Sequence, residues 1–350
     1  MRNAAADPAP RAGFVLPFVV VATALAALLA LAAVSMSWRG YRATRLAANG
    51  VRAQFAGDEG VAILLDAWPA ESLAAQAPGT TISTRVTTAA GDSVRVRVTR
   101  TQPLVAWLTA DVRLASMGTP GRIHRQVTRV LSLEPPTLPI IGALTAFSAV
   151  HAQAPTTIDG RDRADPTDAC GAARDTLSRA PIAAPALPDG PTGPWLWPSA
   201  ALILADPAKA RVAFDAAWRS VIARSASLAS DSTPRLLVPL PGWHALSLQG
   251  ARVALRAPSR WRGMLAVAGD LVVTGTLELD GVLLVRGRLD ARGAVLRVRG
   301  AILVASVGDP VVELGDRTQL RYDQCAVQLA LATVSLPRAQ PFSLWYSPVH

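Results

Sequence analysis

The rhythm of apolar and polar positions changes three times along the chain. From Phe14 to Met36, 23 residues carry no charge. A helix of that length spans about 35 Å, enough to cross a hydrocarbon core of about 30 Å. Trp38 and Arg39 follow as an interfacial anchor. Beyond them Val51, Phe55, Ala62 and Leu65 recur at helical spacing, with Val61, Leu64 and Trp68 widening the stripe. Arg42, Arg45, Asn49 and Arg52 lie on another face. The pattern predicts one continuous helix from the membrane to about Leu65, ending before Pro69. Between Thr81 and Leu133 the period drops to two. Val94, Val96 and Val98 point one way, and Arg95, Arg97 and Thr99 the other. Four such strands, punctuated at Gly91 and around Gly118 to Gly121, predict an antiparallel sheet with one apolar face. The stripe on the preceding helix is its expected cover.

The third rhythm follows Glu134–Pro139, which reads as a linker. Gly263, Gly269, Gly275, Gly281, Gly287 and Gly293 recur every six residues. Leu265, Leu271, Leu277, Leu283, Leu289 and Val295 fill the position two residues later. Val267, Val273, Leu279, Val285 and Ala291 fill the position four residues later. Short strands joined at glycines with apolar residues turned inward predict a solenoid wall, three hexads making one coil. The alternative is an ordinary meander with short turns. Ala143–Asp162 reads as an early turn of the same kind. A proline-rich stretch and then a helix, capped by Asp206 and opened by Pro207, separate the two parts.

Composition narrows the function classes. The net charge is +10, yet Lys209 is the only lysine, and the arginines are scattered along the chain. Arg260, Arg262, Arg286, Arg288, Arg292, Arg297 and Arg299 form a candidate basic face on the glycine-paced region. The absence of interleaved aromatics there argues against nucleic acid. Cys170 and Cys325 are the two cysteines; they fit one disulfide in an oxidising compartment, or two unrelated buried thiols. The four histidines are dispersed, and no HExxH, Walker loop, GxSxG or Rossmann fingerprint occurs. The aspartates at 159, 162, 165 and 168 are interleaved with Arg161 and Arg163, and read as a polar turn rather than a calcium loop. No catalytic residue, metal site or cofactor is expected, and the chain is read as a non-enzyme.

The leader MRNAAADPAPRAG precedes the apolar run and ends in glycine; phenylalanine opens the run itself. This arrangement resembles a type IV prepilin. The resemblance implies cleavage between Gly13 and Phe14, with Phe14 becoming an N-methylated first residue. Pro17 would then fall among the first four residues, where helical N–H groups have no partner and proline costs little. Most pilins have glutamate at the fifth mature position, where this chain has Phe18. That departure resembles accessory or tip minor pilins and PilX-like assembly proteins. RAQFAGDEGVAILL resembles the PilX-like stretch Q-x-F-x-x-A-E-A-G through Gln54, Phe55, Asp58, Glu59 and Gly60, departing from it at Gly57 and Asp58. Glu59 is then an ion-pair or assembly residue. Gly269–Gly275 and Gly281–Gly287 resemble the G-D-L-x-V-x-G and G-x-x-L-V-R-G runs of the C-terminal domain on PilX-like proteins. Their G-x-L-x-V rhythm also resembles bactofilin-like solenoids. In that setting a Cys170–Cys325 bridge would staple the loop after the early turn to the end of the solenoid.

The expected fold is therefore mixed, α+β and all-β. A long transmembrane helix (14–68) follows a leader (1–13). An antiparallel pilin-like sheet (75–133) and a linker (134–142) come next. A C-terminal β-helix, or β-solenoid (143–165 and 235–335), is interrupted by a Pro-rich loop and helix insertion (166–234), and a tail (336–350) closes the chain. The implied partners are other pilins or pseudopilins through the N-terminal helix, a prepilin peptidase and the inner membrane, with no small-molecule substrate. Counting flanking arginines alone would place the large domain in the cytoplasm. The leader and the cysteine pair imply a periplasmic one, and the resemblance implies a protein that can be carried into a surface filament. The alternative is an envelope solenoid protein on an uncleaved anchor that self-associates or binds an acidic polymer.

Overall fold

A computed structural model describes residues 15–68, 76–114, 124–162, 170, 179–185, 195–197, 202–229, 242–306 and 312–346. The first element, α1 (Val15–Asp66), is one helix of 52 residues. Its apolar first half is left exposed by the described residues. Its second half lies on an antiparallel sheet.

That sheet begins with β1 (Thr81–Thr87), β2 (Ser93–Gln102), β3 (Val105–Arg113) and β4 (His124–Glu134). Burial alternates strictly along β2: Val94, Val96 and Val98 are closed off and the residues between Ser93 and Arg97 that flank them are open. The helix faces this apolar side with only part of the stripe expected from the sequence: Val61 and Leu64 are buried and Leu65 and Trp68 pack against the same core, but its other members are not. Val51 and Phe55 are 51% and 68% exposed, and Ala62 is exposed too. The buried face is Ala53, Ala56, Gly57, Gly60, Val61 and Leu64. Small residues let the helix axis come close to the sheet. A Cβ on Gly60 would press into Val94, and one on Gly57 into Val127 and Val112. Arg100, buried among this sheet's strands, donates to the carbonyls of Gln76 at 2.8 Å and Pro103 at 2.6 Å. Burial pushes its pKa down to about 10, so it remains a cation at neutral pH.

After β4 the chain builds β5 (Gly142–Ala146), β6 (Val150–Ala152), β7 (Thr157–Asp159), β8 (Ala180–Ala184), β9 (Trp195–Trp197) and β10 (Leu202–Ile203). Helix α2 (Pro207–Arg224) follows, with the Asp206 carboxylate accepting from the Lys209 N–H at 2.8 Å. Then come β11 (Ala226–Ala229), β12 (His244–Gln249), β13 (Arg252–Leu255), β14 (Ser259–Val267), β15 (Asp270–Val273), β16 (Thr276–Val285), β17 (Leu289–Ala291), β18 (Val295–Val304), β19 (Val312–Leu314) and β20 (Thr318–Arg321). Helix α3 (Gln324–Ala332) and β21 (Leu336–Tyr346) complete the order.

Every pairing among β5 to β20 is parallel. One row runs β10-β8-β5-β18-β16-β14-β12-β11 and another β13-β15-β17-β19-β6. Gly263 pairs with Gly281, and Gly281 with Gly300, offsets of 18 and then 19 residues. All three have positive φ, and a Cβ at Gly281 or Gly300 would run into the backbone oxygen of the glycine one layer below. These glycines sit mid-strand, where each long strand bends from one row to the next. The second step is longer because one extra residue lies in the turn between β17 and β18. It corrects the expected inward position at Val295, which is only half-buried; Leu296 takes the buried place.

The chain does not lay these layers down in order. β5, β6 and β7 pair beyond β18, β19 and β20, so the earliest layer is seated on the last. The segment 166–234, expected as an insertion, contributes β8 and β11 to the main row. The final correction concerns 336–350, expected as a tail. β21 pairs antiparallel with β4, Leu336 opposite Glu134, and makes a fifth strand of the first sheet. The parallel unit is thus inserted between two neighbouring strands of the antiparallel sheet. Arg338 and Glu134 close its base with an ion pair of 2.6 Å.

Candidate functional site

Among the described residues, several places gather polar side chains with definite partners, and three bear on function. At the base of α1, Arg52 grips Asp92 through two hydrogen bonds of 3.1 and 3.0 Å. Asp58 pairs with Arg129 on β4. Glu59 accepts from the backbone N–H of Ala89 at 2.7 Å, so it pins the helix to the β1–β2 turn. Along with the small-residue face, these contacts fix how α1 leaves the folded part. Pro17 and Phe18 lie in the first turn of α1, and Phe18 is fully in the open. Gly13 and Phe14, the expected processing pair, lie outside the described residues.

The second place is the N-terminus of α3. Cys170 and Cys325 are joined by a disulfide, their Cα atoms 6.0 Å apart. The Asp323 carboxylate accepts from the Ala326 N–H at 2.9 Å as the helix cap, and Asp162 accepts from the Gln324 N–H at 3.0 Å. Both carboxylates meet unpaired N–H groups at the positive end of the helix. Beside them Tyr322 is buried, which raises its pKa; a hydrogen bond with Arg179 opposes the shift. Of the aspartates weighed as a cation loop, Asp159 is instead tied to Arg161 at 2.9 Å and Asp162 to α3. Asp165 and Asp168 lie outside the described residues. Among the described residues no three His, Cys, Asp or Glu side chains gather as metal ligands do.

The third place is a face that the sequence indicated but did not organise. On the first halves of β14, β16 and β18, alternate residues point outward. The register sets Arg260 beside Glu278, Glu278 beside Arg297 and Arg297 beside Gln319. One step along, it sets Arg262, Asp280, Arg299 and Arg321 in a second column. Glu278 lies 3.9 Å from Arg260 and 3.0 Å from Arg297. Asp280 lies 3.4 Å from Arg262 and 3.5 Å from Arg299. Arg299 also reaches Asp323 at 3.6 Å. A shallow depression of about 300 Å³ lies over these columns. The other arginines expected here are elsewhere: Arg286 turns to Asp215 on α2, and Arg292 bridges Asp290 and Glu313. Five arginines thus share one face with two carboxylates.

No family model matches the chain. No curated protein matches it either. Among solved structures, it is similar to the competence-associated pilin ComZ from Thermus thermophilus, at 11% identity and a TM-score of 0.26, over 86% of this chain and 98% of that one.

Several features of these places were not expected from the sequence. Gly57 and Gly60 were noted only as a departure and a match in a motif, although an i, i+3 pair of glycines beside Ala53 and Ala56 is itself a close-packing signal. The two columns needed the strand offset. Once 18 and 19 are known, Arg-Trp-Arg, Glu-Leu-Asp and Arg-Val-Arg fall into line.

Proposed function

We propose that this chain is a non-enzymatic, minor pilin-like or pilus-assembly membrane protein of the type IV pilus or type II secretion kind, in an accessory or tip role. The observation that carries the reading is the division of α1. Its first half is apolar, not covered by the described residues and long enough to cross a membrane. Its second half is seated on an antiparallel sheet by Ala53, Ala56, Gly57 and Gly60, and pinned there by Arg52, Asp58 and Glu59. A free apolar rod rigidly continued into a folded body suits storage in a bilayer and transfer to a helical assembly. A flexible tether would do neither.

In this reading the parallel rows, offset by 18 to 19 residues and bent at stacked glycines, are the coils of a β-solenoid. They project from the pilin-like sheet as its exposed module. The large domains are periplasmic, the helix sits in the inner membrane, and the partners are other pilins and a prepilin peptidase. Phe18 at the position where shaft pilins carry glutamate favours the accessory role.

The test is the N-terminus of the protein recovered from its source cell. Sequencing and mass measurement are expected to begin at a methylated Phe14. An intact Met1 overturns the proposal in favour of an envelope protein held by an uncleaved anchor.

A further inference from the structure

The arginine columns on β14, β16 and β18 form a regular surface, and their order carries chemical information. Read from layer to layer, the outward pairs are Arg260 with Arg262, Glu278 with Asp280, Arg297 with Arg299, and Gln319 with Arg321. The charge per layer runs plus two, minus two, plus two, plus one. Parallel strands lie about 4.8 Å apart, so the two doubly basic layers are about 10 Å apart. The ion pairs that Arg260, Arg262 and Arg297 make across the layers are solvent-facing, and such pairs contribute little to stability. These three arginines are therefore dispensable to the fold and can exchange partners for a ligand, whereas Arg299 is also held by the buried Asp323. Arg260, Arg262 and Arg297 keep 63%, 48% and 55% of their side-chain surface open.

From this order we infer that the face binds an acidic polysaccharide whose carboxylates recur at intervals, with uncharged, hydroxyl-rich sugars between them. Guanidinium groups accept carboxylates in a planar, two-pronged geometry. The doubly basic layers supply two such groups each. The acidic layer between them excludes a polymer charged at every unit, because a phosphate or carboxylate over Glu278 and Asp280 meets like charge. It suits sugar hydroxyls, which donate to the carboxylates of Glu278 and Asp280. The shallow, open depression over the columns fits an extended chain lying across the strands. A nucleic acid strand fits poorly. Its charge is continuous, and its bases want aromatic platforms that the outward positions of β14, β16 and β18 do not offer. The inference goes beyond the assembly role proposed above and holds whether or not the leader is removed.

The full chain in detergent is titrated at fixed moderate salt with four probes. They are an oligosaccharide alternating glucuronic acid with N-acetylglucosamine, an oligogalacturonate charged on every sugar, a neutral dextran oligomer and single-stranded DNA of equal length. The alternating oligosaccharide is expected to bind tightest and dextran not at all. Arg260→Gln with Arg297→Gln is expected to weaken that binding by about tenfold or more, with the melting profile unchanged. Glu278→Gln with Asp280→Asn is expected to weaken the alternating probe and tighten oligogalacturonate and DNA. Equal or tighter binding of DNA or oligogalacturonate by the unmodified chain overturns the inference. So does absence of binding to the alternating probe, or binding that survives the arginine double variant. If that variant melts early, Arg321→Gln on the same face decides the matter by the same titration.

Discussion

The two sheets of this molecule bury their strands in different ways. In the antiparallel sheet one face is covered and the other is wet. β2 alternates Val94, Val96 and Val98 with Arg95 and Arg97; the three valines are closed off and these two arginines are open. In the parallel unit the strands after each bend are covered on both faces. Met264 to Val267, Val282 to Val285 and Ala301 to Val304 are all buried without alternation. Alternate residues of these runs face the interior of the stack, and the others meet helices: α3 rests on β14, β16 and β18, and α2 joins the same core through Phe214, Trp218 and Val221. A strand's sequence reports how many of its faces are covered. Val-Arg-Val-Arg-Val means one, and Gly-Val-Leu-Leu-Val means two.

The two regions also use glycine for opposite purposes, and this gives the largest expected effect. In the parallel stack Gly281 has φ of 136°, and a Cβ there would collide with the Gly263 carbonyl. Gly281→Val is expected to cost more than about 3 kcal/mol, combining backbone strain with a clash that no side chain can relieve. Gly293 belongs to the same six-residue ladder, yet nothing lies within 4 Å of a Cβ placed on it. Gly293→Ala is expected to change stability by less than about 0.5 kcal/mol. Thermal melts of the two variants check this; equal losses would mean that the ladder is maintained as a whole rather than at its bends.

On the antiparallel side the glycines serve an interface between elements. Gly60→Val is expected to lift α1 from β2 and cost about 1–3 kcal/mol by overpacking against Val94. Phe55→Ala removes a far larger side chain, but one that is 68% exposed, and is expected to cost less than about 0.5 kcal/mol in the isolated chain. Chemical denaturation of both variants in detergent checks the ranking. A larger loss from Phe55→Ala would restore the large-residue stripe as the packing face.

That reversal shows where the sequence was legible and where it was not. Local periodicity carried α1 and the first four strands, because each is encoded within its own residues. The three-hexad repeat anticipated the 18-residue offset between paired strands. Periodicity named Val61 and Leu64, which are buried, but misplaced the N-terminal part of the face: Val51 and Phe55 are larger and apolar, yet Gly57 and Gly60 permit the closer approach. From the sequence 336–350 reads as a tail, whereas β21 forms the edge of the first sheet, where Pro337 and Pro341 are tolerated. Its partner β4 is about two hundred residues away in sequence, beyond any local signal. The single extra residue before β18 displaced Val295 from the inward position, since a strict period has no place for a turn that is one residue longer. The arginine columns were seen as composition, and only the register sorted them into layers.

The smallest expected effect separates the two regions by charge, since each buries an ionisable group whose charged form burial disfavours. Tyr322, in the parallel unit, has its pKa raised by burial. The fold favours its neutral form, so that contribution is complete below the ordinary tyrosine value of about 10 and is lost as pH rises through the higher folded value. Arg100, in the antiparallel sheet, has its pKa lowered to about 10 from 12.5, again because burial disfavours the charge. Its neutral form is favoured, so its contribution grows as pH rises across that window. Alkali therefore acts on the two regions with opposite sign. Between pH 8 and pH 11, the unmodified chain is expected to lose slightly more stability than Tyr322→Phe, which has no proton to lose at that site. Denaturation curves of the two proteins at both pH values measure the difference. Identical losses would mean that Arg179 stabilises the phenolate enough to offset its burial, and that the hydrogen bond rather than the packing sets the behaviour of Tyr322.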